Sequence, residues 1–180
     1  EAEVSVPLGD ADTPTRWTQA TDVASRERWN DWGIGLLLQG DLKGAEYAFI
    51  KTTEDEPAYA DGWLNVARAR IQEGETEGAK PYIEEALNLD PSLGRIHYFK
   101  ALIERADGDY DAALASLDVT LALYPRDRVV LNQKARILFQ QREYQEALNV
   151  LARVAMVDPE DLQMHYTAML VHRGLGNAEA

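Results

Sequence analysis

GRIHYFKALIERADGDYDAALASLDVTLALYPRD, residues 94–127, is one period of a pattern that runs through most of the chain. Its landmarks return at steps of 34 residues: Pro57, Pro91, Pro125 and Pro159, and likewise Ala45, Ala79, Ala113 and Ala147. Phe49, Ile83, Leu117 and Leu151 form an apolar column, Gly33, Ala67, Ala101 and Ala135 a small-residue column, and Gly40, Gly74 and Gly108 a turn column in which the next member is Arg142. A repeat of this length means a stack of similar units rather than one irregular core. Within residues 94–127, apolar side chains recur at three- and four-residue steps on both sides of Gly108-Asp109, which predicts two helices joined by a short turn. Glycine ends the first helix, Asp109 (or Asp41 in the first unit) caps the second, and the proline stops it. The small columns let the two axes approach closely. Pro81 lies within a second helix, where a slight kink is expected.

Outward from this unit the chain divides into four full units, 26–59, 60–93, 94–127 and 128–161. Residues 1–13 read as an extended acidic arm, 14–25 as a short lead-in helix opening at Pro14, and 162–180 as the first helix of an incomplete fifth unit. One unit cannot bury both of its faces, so stability comes from neighbours and the ends are special.

Composition narrows the function classes. In 180 residues, 31 Asp plus Glu against 18 Lys plus Arg give a formal charge of −13, which repels phosphate backbones and anionic membrane surfaces, so neither nucleic acid nor a membrane is an expected partner. The longest uncharged apolar run, Gly33 to Gly40, falls far short of the roughly 20 residues of a membrane span. Without cysteine there is no disulfide frame, thiolate metal site or thiol nucleophile. No Met opens the chain at Glu1, which reads as either a processed chain or an excised piece; a processed start together with the missing cysteine favours a bacterial periplasmic or extracellular setting without fixing one. Ser5, Ser25, Ser92 and Ser116 sit in no nucleophile elbow, and no phosphate loop or catalytic cluster stands out, so no enzyme and no cofactor is expected. Asp107, Asp109 and Asp111 have the spacing that opens a calcium loop, but Ala112 stands where its glycine belongs. His165 and His172 are about two helical turns apart, too far for one ion, and His97 shares a repeat column with His165; rim positions explain all three.

The period and the small, alanine and proline columns resemble the tetratricopeptide repeat. That resemblance implies an all-α fold, a right-handed superhelical solenoid of antiparallel helix pairs, acting as a non-enzymatic protein-interaction scaffold. RWNDWGIGLLLQGDLKGAEYAF (28–49) and DPEDLQMHYTAMLVHRGLG (158–176) also resemble bacterial members sometimes fused to multihaem cytochromes; no CxxCH motif occurs here, so no haem carries over. In the family the first helices line a concave groove. Carried across, those columns hold five arginines, Arg68, Arg95, Arg105, Arg136 and Arg173, against two acids, Glu27 and Asp61. A groove of net positive charge on an acidic body suits an extended protein or peptide segment offering carboxylates and apolar anchors, because guanidinium forks bind carboxylates bidentately. The arginines expected to carry it are Arg68, Arg105, Arg136 and Arg173. Tyr98, Leu102, Phe139, Tyr166 and Leu170 supply apolar area beside them. Pairing of these arginines with acids inside the solenoid is the competing expectation. Ile34, Leu64 and Phe99 stand where a carboxylate clamp has polar or basic side chains, which excludes a standard clamp. Residues 68 apart match better than those 34 apart: Arg68 with Arg136, Tyr98 with Tyr166, Leu102 with Leu170, Arg105 with Arg173.

A second reading is self-assembly of copies head to tail into a fibre. Its expected surfaces are the arm, through Val4, Val6 and Leu8, the lead-in residue Trp17, and the last helix, through Met164, Met169 and Val171, whose covering helix is missing from the pattern.

Overall fold

A computed structural model describes residues 14–178, with side chains from 25 to 176. The described chain is helical and contains no strand. Its elements are α1 (Pro14–Gln39), α2 (Leu42–Asp55), α3 (Ala60–Glu73), α4 (Thr76–Leu89), α5 (Gly94–Ala106), α6 (Tyr110–Leu123), α7 (Arg128–Gln140), α8 (Tyr144–Val157) and α9 (Leu162–Ala178). The second helices begin at 42, 76, 110 and 144, and α3, α5, α7 and α9 begin at 60, 94, 128 and 162, so the 34-residue step of the sequence is the step of the architecture. Helices pair with their neighbours in order, forming a right-handed superhelical solenoid whose first helices lie side by side along the inner face. None is long and apolar enough to cross a membrane among the described residues.

Each unit turns by the same device. Gly40, Gly74 and Gly108 have φ of 83°, 85° and 83°, the left-handed conformation that glycine adopts without a Cβ penalty. The next amide then closes the turn: Asp41, Glu75 and Asp109 donate to the carbonyls of Leu36, Arg70 and Glu104 at 2.9–3.0 Å. Asp41 and Asp109 cap the following helices as expected, accepting from the amides of Gly44 (3.0 Å) and Ala112 (3.1 Å). In the fourth unit Arg142 is forced to φ 66° and Glu143 still donates to Leu138 at 2.9 Å. A non-glycine residue pays roughly 1–2 kcal/mol there, partly offset by the freedom glycine loses on folding. Arg142→Gly is therefore expected to raise stability by about 0.5–1 kcal/mol and the melting temperature by roughly 2 °C; a drop in melting temperature would contradict this.

The columns are the core. Ala45, Ala79, Ala113 and Ala147 are wholly buried, as are Phe49 and Leu117, while Ile83 and Leu151 are nearly so. Buried side chains gather into three clusters strung along the axis, the largest running from α5 to α9. Between units, Trp63 Nε1 donates to the Pro57 carbonyl (2.8 Å), and His97 and His165 place Nε2 against the carbonyls of Pro91 (3.5 Å) and Pro159 (2.8 Å). The same register position thus pins α3, α5 and α9 to the proline turn before each; α7 has Leu131 there and lacks the contact. This gives His97 and His165 structural roles at the rim.

Two expectations change. The lead-in segment 14–25 is not a separate helix; α1 runs unbroken for 26 residues into the first unit. Nothing between Thr15 and Trp32 is a glycine or proline, so no residue interrupts the ladder at the repeat boundary. On the last helix, Met164 and Val171 are buried and face α7 and α8, as Val130 and Ile137 do one period earlier, so neither offers a surface for association. α4 passes through Pro81 without a break.

Candidate peptide-binding groove

Arg68 projects from α3 towards α5, and Tyr98 and Phe99 face it from α5. With Leu64, Tyr124 and Val129 they line an open cleft of about 430 Å³, whose edge also carries Arg95 and the Asp127 carboxylate, the latter taken up in capping α7. Tyr124 is the residue that follows α6, a second helix, so first-helix columns do not reveal it. Arg68 is half-buried. Burial first, and then the neighbouring Arg95, hold its guanidinium below its ordinary value. Arg95 itself bonds Asp61 at 2.5 Å, so for this one arginine the internal-pairing expectation is met.

The other inner-face arginines are different. Among the described residues, no carboxylate lies within ion-pair distance of Arg68, Arg105, Arg136 or Arg173, whereas Arg26, Arg70, Arg95 and Arg128 all pair with acids. Arg105 donates to the Gln133 amide oxygen (3.0 Å), a neutral partner. Burial and then Arg136 push Arg105 down as well. The inner face therefore holds uncompensated positive charge on a chain whose net charge is −13.

A second cleft of about 210 Å³ opens between α7 and α9, lined by Arg136, Phe139, Gln163, Tyr166, Thr167 and Leu170. The structure thus gathers Arg68 and Tyr98 at one site and Arg136, Phe139, Tyr166 and Leu170 at another. Leu102 and Arg105, on α5, and Arg173, exposed on α9, line neither. Of the surfaces expected for self-association, Met169 is exposed. Val4, Val6, Leu8 and the Trp17 side chain lie outside the described residues. The aspartates of the calcium-like spacing have other partners: Asp107 pairs with Lys80 (3.0 Å), Asp109 caps α6, and Asp111 accepts from Gln141 (2.8 Å).

A stack of helix pairs with a basic, aromatic-lined inner face is an α-helical repeat scaffold of the kind that holds other polypeptides. The specific family follows from comparison. Two tetratricopeptide repeat models match residues 64–128 and 104–169, and the chain belongs to the tetratricopeptide repeat family, whose members are generally non-enzymatic scaffolds that bind proteins or peptides. It is 27% identical over 114 residues to the type IV pilus assembly protein PilF of Pseudomonas aeruginosa; the match covers 63% of this chain and 45% of that protein, so the chain spans less than half its relative's length. The solved structure of Pseudomonas aeruginosa PilF superposes with a TM-score of 0.75 at 18% identity, over 85% of this chain and 70% of that one. YrrB, described as a tetratricopeptide repeat protein with an unusual peptide-binding site, superposes at 0.65 and 20% identity, over 90% and 84%. At these identities the structural likeness shows the fold alone.

Proposed function

We propose that the chain binds an extended acidic and apolar protein segment in its concave groove. The observation that carries this reading is the set of inner-face arginines without acid partners, two of them half-buried beside like charge. A guanidinium held in that state gains from an incoming carboxylate, which supplies a charge-assisted, bidentate partner that the solenoid withholds. Tyr98, Phe99, Phe139 and Tyr166 line the two clefts and provide apolar surface for the side chains between the acids.

The test uses labelled peptides of alternating acidic and leucine or phenylalanine residues, with Asn/Gln counterparts as neutral controls. Changing Arg68, Arg105 and Arg136 together to Glu is expected to abolish binding of the acidic series, at least 100-fold, while the helical content stays close to the parent's, since none of the three forms an ion pair within the described solenoid and the one side-chain bond lost is that of Arg105 to Gln133. A triple variant that binds undiminished would refute the reading, and one that unfolds would make these arginines structural.

Head-to-tail association of copies keeps one support. Met169 occupies the small-residue column of Gly33, Ala67, Ala101 and Ala135, and unlike the alanines it is exposed, giving α9 an apolar spot for a second copy. The groove reading rests on more residues and leads.

A further inference from the structure

The two clefts stand at the same register 68 residues apart and share an arginine and a tyrosine. A shift of 68 residues carries Arg68 to Arg136, Arg95 to Gln163, Tyr98 to Tyr166 and Phe99 to Thr167, and all eight line their respective clefts. The helix packing has the same alternation: α3 lies against α5, and α7 against α9, more extensively than the other first helices meet.

The positions between them lack this chemistry. One unit after Arg68 stands Leu102, and one unit after Tyr98 stands Asn132, which is buried and donates to Asp161 (3.2 Å). One unit after Phe99 stands Gln133, whose oxygen is taken by Arg105. One unit before Arg68 stands Ile34, and one before Arg95 stands the acid Asp61. A carboxylate with an apolar neighbour therefore finds an arginine without a hydrogen-bond partner among the described residues and an aromatic wall at the first cleft, only Arg105, already donating to Gln133, at the next register, and both features again at the second cleft.

Resting on the groove reading, we propose that the two clefts form one bipartite site, filled by a single protein segment carrying two acidic-plus-apolar anchors and crossing the α5–α7 junction between them without a third anchor. The clefts also give the segment a direction. The first is about twice the volume of the second and is walled by Phe99 and Tyr124, so it takes the bulkier, aromatic anchor. The second has Thr167 and Gln163 at the corresponding places and takes a smaller aliphatic one.

Two linked anchors bind with an effective concentration set by the linker, highest when its length matches the span and near zero when it cannot reach. The probes are synthetic peptides with an Asp-Phe anchor and an Asp-Leu anchor joined by Gly-Ser linkers of about 2 to 14 residues, in both orders, together with each anchor alone. Binding to the full chain is followed by fluorescence anisotropy. The expected result is an affinity maximum at one linker length, in one anchor order, at least tenfold above either anchor alone. Arg68→Ala or Arg136→Ala, each checked for unchanged helical content, should remove that gain. Single anchors that bind with no gain from linkage, or a gain that survives Arg136→Ala, would overturn the bipartite site and leave the groove reading standing. If no acidic peptide of either kind binds, the groove reading itself falls, and this inference with it.

Discussion

Gly33→Leu is expected to destabilise the chain by about 3 kcal/mol, a large effect for a glycine in the middle of a helix, where replacement ordinarily helps. A Cβ at Gly33 would stand 2.6 and 2.7 Å from two ring carbons of Phe49, and Phe49 is wholly enclosed by its neighbours. The ring has nowhere to retreat, so the added atoms separate α1 from α2. Phe49→Ala alone should cost about 3–5 kcal/mol through the cavity it leaves. Together the two changes should cost less than their sum by at least 1 kcal/mol, because leucine at 33 partly fills the space of the lost ring. Urea denaturation of both single variants and the double variant measures the coupling. Simple additivity would show that Gly33 is tolerated for some reason other than this contact.

The second large effect is expected at Asp161, the hinge between the fourth unit and α9. Its carboxylate is almost completely buried and serves three partners: the Met164 amide at 2.6 Å, the Asn132 side-chain amide at 3.2 Å and Arg128 Nε at 3.2 Å. Asp161→Ala removes the cap of α9 and leaves Asn132, whose Oδ1 already lacks a partner, buried with none at all. A lost cap of about 1 kcal/mol and an unsatisfied buried amide of about 1–3 kcal/mol together put the expected cost near 3 kcal/mol. The loss should be local. Hydrogen exchange in α9 should accelerate while α3 to α6 keep their protection, and Asp161→Asn, which retains the acceptor oxygen, should lie between the variant and the parent. Because α9 carries Tyr166 and Leu170, the second cleft should be lost with it while the first persists. Equal acceleration across all helices, or none, would refute this account of Asp161.

How much of this was legible depended on what each residue encodes. Turn and packing positions were readable because backbone geometry selects them directly: a left-handed turn selects Gly40, Gly74 and Gly108, and a close helix approach selects Gly33 and the alanines. The length of α1 was not, because a repeat boundary is a boundary in packing, and a helix stops only where a breaker or competing cap stands. Arg68 and Arg136 were found by their columns. Their lack of partners was not visible, since whether an arginine meets an acid depends on reach between units; Arg95 reaches Asp61 one unit back, and Arg68 has no acid at the corresponding place. Tyr124 is not in the first-helix columns because it follows a second helix, as the C-cap of α6. Met164 and Val171 were misassigned because an amphipathic helix at the end of a stack has two apolar sides, one already covered by α7 and α8, and spacing alone does not distinguish them.

Each helix packs chiefly on those next to it or one further along the chain. During synthesis, none of the described helices has to wait for a partner encoded far downstream. At roughly 5–20 residues per second the ribosome needs seconds to release one more unit, whereas local helical contacts form in micro- to milliseconds. The three clusters can close in order from the amino-terminal end, and the apolar surface open to the cytosol or to a translocon at any moment is that of the newest unit. A nascent chain built this way is sheltered from aggregation by the order in which it emerges.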